Sequence, residues 1–111
     1  MDISIKASNL ELTEALKGYV MEKIEALEKY APVILRARIE VSRTTNHHHK
    51  GGSLWRAEAN LKASKHLFRA SASAADIYAA IDQLKDELKH ELRSWKEKQT
   101  KRNVGRGRRQ V

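Results

Sequence analysis

Two aspartates in the stretch SAADIYAAIDQL, residues 73–84, are the first residues whose type and spacing invite a chemical reading. Paired carboxylates serve general acid and base chemistry when both flank one scissile bond. On a helix Asp76 and Asp82 diverge by about 120°, at about 100° per residue, so they cannot share a substrate. Asp76 instead fits the acid of an S-x-x-D capping box opened by Ser73, and Asp82 a solvated side chain. A second candidate is the run His47, His48 and His49. Adjacent residues of an extended loop point in different directions, and no cysteine or suitably spaced acid accompanies them, so no metal site is expected. The run reads as a polar hairpin loop or, with His49 and Lys50, as a loop facing phosphate. There is no nucleophile–base set, phosphate-cradling glycine motif or acid cluster for hydrolysis. An enzyme is therefore not expected, nor a cofactor or a small-molecule substrate.

What remains is cationic chemistry. Lys and Arg number 22 against 14 acids, a formal net charge of +8, which favours polyanions: nucleic acid first, anionic lipid second. Residues 96–111, KEKQTKRNVGRGRRQV, hold +6 of that charge, and the other 95 residues only +2. The folded part must therefore attract through local patches. With Ile77 at 0° on a helical wheel, Lys85, Lys96, Lys89 and Arg93 fall near about 80°, 100°, 120° and 160°, beside Tyr78 and Asp82. The opposite flank holds Glu87, His90, Glu91 and Ser94. Such one-sided segregation makes a basic ridge long enough to follow several phosphates. Lys101, Arg102, Arg106, Arg108 and Arg109 add further cations beyond it.

The elements that must position these residues are legible from periodicity. ISIKA, residues 3–7, alternates as a short strand. Thr13 fits an N-cap with Glu14 in the first turn, and Leu16, Val20, Ile24 and Leu27 form one face of a helix over 14–30, stopped by Pro32. Lys23 lies within that apolar sector, where its ammonium must snorkel outward or meet an anion. Residues 33–43 alternate, with Val33, Leu35, Ala37, Ile39 and Val41 set against Arg36, Arg38, Glu40 and Ser42. Residues 54–63 repeat the pattern, across a polar loop containing Gly51 and Gly52 that looks like a hairpin. A strand at about 66–72 follows a tight reversal near Ser64–Lys65. Half-polar strands of this kind predict an antiparallel sheet with one covered face. A long helix over about 74–98 carries the stripe Ile77, Ile81, Leu84, Leu88, Leu92 and Trp95, so Trp95, like Trp55, is expected to pack in the core. The order β-α-β-β-β-α gives an α+β fold, a four-stranded sheet with two helices on one face. Residues 1–98 form the domain and 99–111 a basic disordered tail.

No apolar run approaches the ~20 residues of a membrane span, and MDISIKASNL lacks the design of a signal peptide. Zero cysteines fit a reducing compartment, so a cytoplasmic protein is expected.

DIYAAID resembles the D-[LM]-Y-A-A-I-D motif of the ribosome hibernation-promoting factor / ribosome-associated inhibitor A family, also called sigma-54 modulation proteins. LELTEALKGYVMEKIEALEKY resembles that family's first helix and WRAEANLKASKHLFRASA its third and fourth strands. The resemblance covers about residues 3–98. It implies a cytoplasmic protein that binds the small ribosomal subunit and its 16S rRNA, occupies the decoding channel at the A and P sites, and silences ribosomes under stress or in stationary phase. It also implies a short form or a truncated chain, since longer members add a C-terminal dimerisation domain. Lys23 matches the family's first-helix lysine. At the family's DKLxRQLxKxK run this chain reads DELKHELRSWK, so Glu87, His90 and Ser94 replace positions usually Lys, Arg and Lys, while Arg93 and Lys96 remain basic. Two other readings stand beside this one. A generic double-stranded RNA-binding module shares the β-β-β-α order, yet the start of its last helix is basic where SAADIYAAID is acidic and apolar. A protein-interaction domain would use the charge for solubility alone.

Overall fold

The alternation of residues 2–8 builds β1 (Asp2–Ser8), the first strand of a four-stranded sheet. The computed structural model describes residues 1–30, 34–45 and 53–109. Thr13 caps α1 (Glu14–Glu25) as expected, its hydroxyl accepting from the Leu16 amide at 3.1 Å. The helix then tightens into a 3₁₀ turn, Ala26–Lys29, closed by the Tyr30 amide donating to the Leu27 carbonyl at 3.0 Å. β2 (Ile34–Thr45), β3 (Ser53–Ala63) and β4 (His66–Ala74) follow, then α2 (Ile77–Arg109).

The sheet order is β1-β2-β3-β4, but the sheet is mixed and not antiparallel throughout: β1 runs parallel to β2. The reason lies in the connection. A helix crossing over between two neighbouring strands returns the chain in the same direction, whereas β2–β3 and β3–β4, with no helix between them among the described residues, pair antiparallel. The β3–β4 reversal places Ser64 at φ 56°, in the left-handed region.

The alternation of β2 holds with one correction. Ile34 is buried while Leu35 is 58% exposed, because the register shifts between Ile34 and Arg36. This bulge-like irregularity moves Leu35 out of the apolar row that strict period-two counting gave it. Val33 lies outside the described residues.

The core is one cluster. Leu16, Val20, Ile24 and Leu27 meet Ala37, Ile39 and Val41, Ala57, Ala59 and Leu61, Phe68, and the stripe Ile77, Ile81, Leu84, Leu88 and Leu92. Both helices thus cover one face of the sheet, and Arg36, Arg38, Asn60, Lys62 and Arg69 remain exposed on the other. Leu84, Leu88 and Leu92 are fully buried, so truncating any one to alanine costs about 2–5 kcal/mol.

Helix α2 differs from expectation at both ends. β4 alternates through Ala74, so the helix begins at Ile77, and Asp76 is itself the cap: its Oδ1 accepts from the Tyr78 amide at 2.8 Å and the Ala79 amide at 3.2 Å. Ser73 belongs to the strand and forms no capping box. At the far end the backbone stays helical to Arg109, past the expected end near Lys98. The apolar stripe stops at Trp95, and periodicity cannot follow a helix beyond its last buried residue. Among the described residues, no helix is long and apolar enough to cross a membrane.

Candidate nucleic-acid interface

Packing α1 against α2 gathers the cations that sequence assigned separately. At the start of the seam, Asp82 faces α1, where Tyr19 Oη donates to its Oδ1 at 2.5 Å and Lys23 Nζ lies 3.8 Å from the same oxygen. Asp82 is therefore not simply solvated; it is the anion that Lys23 meets. Lys23 also sits 5.2 Å from the centre of the Tyr19 ring, and Tyr78 packs edge-on against that ring at 4.9 Å. With 29% and 51% of their side chains exposed, Lys23 and Asp82 form a screened pair worth about 1 kcal/mol or less. The Asp82 hydrogen bond, then desolvation and the Asp82 charge, push the Tyr19 phenol up to about 12.

Further along the seam, Lys85 and Lys89 are half-buried and Arg93 and Lys96 exposed. Lys89 Nζ lies 5.5 Å from the Tyr30 ring centre, and Lys29 Nζ approaches the same ring to 5.3 Å. Burial alone would raise the Tyr30 phenol, yet its hydrogen bond with Lys89 and the charges of Lys29 and Lys89 outweigh it and lower the pKa. Lys29 and Tyr30 were not among the candidate residues. Tyr30 closes the first-helix motif, but its position between two ammonium groups depends on how α2 packs, which a helical wheel does not contain.

The other flank of α2 borders the sheet edge. Asp86, Glu87, His90 and Glu91 line an open groove of about 1010 Å³ with Arg56, Glu58, Asn60 and Arg69. Beyond it, Trp95 meets Phe68 edge-on at 5.7 Å and His66 at 6.0 Å. Trp55 and Trp95 are only partly buried and pack against the rim of the core. The two flanks differ in charge as the wheel predicts, and the structure adds that the basic one adjoins α1.

His47, His48, His49 and Lys50 lie outside the described residues, and so do the side chains of Lys101, Arg102, Arg106, Arg108 and Arg109. Among the described residues, no group of three or more His, Asp or Glu side chains is arranged to hold a metal ion. A row of ammonium groups over two tyrosines, without a nucleophile or an enclosed cavity among them, can hold phosphates and stack on sugars or bases.

Comparison with known proteins finds relatives in sequence and in fold. The family described as sigma 54 modulation protein / S30EA ribosomal protein matches residues 3–100. A ribosome hibernation promoting factor of Azotobacter vinelandii is 36% identical over 105 residues, covering 95% of this chain and 92% of the relative. One from Escherichia coli is 33% identical over 100 residues, covering 88% and 96%. A ribosome hibernation promotion factor of Deinococcus radiodurans is 34% identical over 104 residues, yet this chain spans only about half of it, 53%. Among solved structures, the Thermus thermophilus Protein Y N-terminal domain superposes with a TM-score of 0.72 at 30% identity, covering 86% of this chain and 99% of that one. A ribosomal subunit interface protein from Coxiella burnetii shares the fold, with a TM-score of 0.75 at 21% identity over 87% and 99% of the two chains.

Proposed function

Because the chain belongs to the sigma 54 modulation protein / S30EA ribosomal protein family, we propose that it is a ribosome hibernation factor. In this reading it acts in the cytoplasm, binds the 16S rRNA of the small subunit in the decoding region at the A and P sites, and blocks translation under stress or in stationary phase. The observation that carries the reading is the basic seam: Lys23, Lys29 and Lys89 converge from α1, the 3₁₀ turn and α2 beside Tyr19 and Tyr30, with half-buried Lys85 one turn before Lys89 on α2. Arg93 and Lys96 prolong the row. Tyr78, exposed at its start, adds a ring surface. His49, Lys50 and the cations from Lys101 to Arg109 supply further electrostatic attraction. The family consists of ribosome-associated factors, and the reading requires no catalysis.

Binding by phosphate neutralisation releases counterions, so affinity must fall steeply with salt. In a pelleting titration the protein is expected to co-sediment with small subunits and vacant ribosomes, losing on the order of a hundredfold in affinity between about 50 and 200 mM salt. Equal binding to any RNA duplex of the same charge would favour the generic double-stranded RNA module. Binding that ignores salt, or no binding at all, would favour a protein-interaction domain.

A further inference from the structure

The strand register arranges the exposed face of the sheet in rows. One row runs Asp2–Arg36–Lys62–Leu67, the next Ser4–Arg38–Asn60–Arg69, and the next Lys6–Glu40–Glu58–Ser71. Within the sheet the acids are concentrated in the third row, where they have partners: Glu58 pairs with Arg56 at 2.5 Å and Glu40 accepts from the Ser8 hydroxyl at 3.3 Å. Glu87 and Glu91 of α2 line the open groove that Asn60 and Arg69 also border. The first two rows are different. Arg36, Arg38, Lys62 and Arg69 are all exposed, and none forms an ion pair among the described residues. Asp2 stands in register with Arg36 without pairing to it. Arg36 and Lys62 are direct cross-strand neighbours, an arrangement of like charges that disfavours the sheet.

We infer that this end of the exposed sheet face is a second RNA-backbone contact, so that RNA engages the domain on both of its faces. The inference rests on the ribosome reading above, which makes no use of the exposed sheet face. Neighbouring strands lie about 4.8 Å apart and alternate residues of one strand about 7 Å, so the four cations occupy roughly 7 by 10 Å of backbone. That matches two or three phosphates of one strand, at about 3.4 Å of helix axis each. Three of the four are arginines, and a guanidinium binds phosphate oxygens in pairs. No aromatic side chain stands in either row, so these positions offer no platform for stacking bases, as sheet-based readers of single-stranded RNA do. The contact is therefore to phosphate and sugar, independent of sequence, with exposed Leu67 beside Lys62 at its border.

The chain has no cysteine, so single cysteines can carry a photo-crosslinker on the full protein bound to small subunits. Asn60→Cys places the probe at the centre of the patch, and Asp86→Cys places it on the exposed crest of α2, which borders the groove on one side and Lys89 and Arg93 on the other. Both are expected to crosslink to RNA, at different segments. Replacing Arg36, Arg38, Lys62 and Arg69 by glutamine, with folding checked by thermal melting, is expected to make the log–log salt slope shallower by about 2 to 3. RNA crosslinks from position 86 with none from position 60, or with protein crosslinks there, would overturn the inference and leave the ribosome reading intact. So would an unchanged slope in the glutamine variant, or in Arg36→Gln with Arg38→Gln should the fourfold change not fold. Failure to pellet with small subunits at low salt would remove both readings together.

Discussion

The Tyr19 hydroxyl donates to Asp82 across the seam between the two helices, and Lys23 approaches the same carboxylate oxygen from one turn further along α1. One acid on α2 thus holds two side chains of α1. The relationship ties the two helices together at the start of the seam, beside the core that both of them share.

Removing the phenol tests that role. Tyr19→Phe keeps the ring against Tyr78 and loses only the hydrogen bond, at about 0.5–1.5 kcal/mol, or a few degrees of melting temperature. Asp82→Asn retains an acceptor for Tyr19 and releases Lys23, so it is expected to destabilise less. Both variants melting with the wild type would show that the helices are held by the core alone.

The two seam tyrosines titrate in opposite directions. Tyr19 is pushed up to about 12, chiefly by its hydrogen bond to Asp82, and Tyr30 is lowered because Lys89 and Lys29 outweigh its desolvation. A raised phenol favours the protonated folded state. Its contribution is complete below the unfolded value of about 10 and lost as pH climbs from there to about 12. Exposure of Asp82 limits that loss to about 1 kcal/mol. In an ultraviolet tyrosinate titration, Tyr30→Phe is expected to delete the early part of the absorbance rise and Tyr19→Phe the late part. Both variants losing absorbance over the same pH range would contradict the seam geometry.

Deleting residues 99–111 separates electrostatics from stability. Among the described residues, those packed on the core end at Trp95, so the melting temperature is expected to move by no more than a degree or two. The salt slope of ribosome binding becomes shallower, because Lys101, Arg102, Arg106, Arg108 and Arg109 are gone. A large fall in melting temperature would mean that the end of the chain folds onto the domain.

Periodicity found every element, because each buries one face: Leu16 to Leu27 at helical spacing, Ala57 to Leu61 at strand spacing, Ile77 to Trp95 at helical spacing again. It failed where geometry departs from a repeat. The shift at Leu35, the late start of α2 at Ile77 and the parallel β1 depend on register and on what the chain meets in space. The site was legible in the same measure. The wheel separated Lys85 and Lys89 from Glu87 and Glu91, but Lys29, Tyr30 and the charge grid of the exposed face required the packing of helices and strands distant in sequence.

The flank of α2 that meets RNA can be decided by charge exchange. Resemblance to the family puts the contact through positions 87, 90 and 94, which here are Glu87, His90 and Ser94. The structure turns that flank toward the edge of β4 and sets Lys89, with Lys85 one turn before it, on the side that meets Tyr30. Acids held against phosphate repel it, by about 1 kcal/mol per pair at 4 Å even in bulk water. Lys85→Glu with Lys89→Glu is therefore expected to weaken inhibition in a cell-free translation assay by at least about tenfold, since it reverses two contacts. A thermal melt must show the fold retained, because both side chains are half-buried beside α1. Glu87→Lys with Ser94→Lys is expected to change inhibition little if that flank faces away from the ribosome. The reverse outcome, loss-free inhibition in the first variant and a marked gain in the second, would move the RNA contact to the β4 side and leave the seam a structural feature.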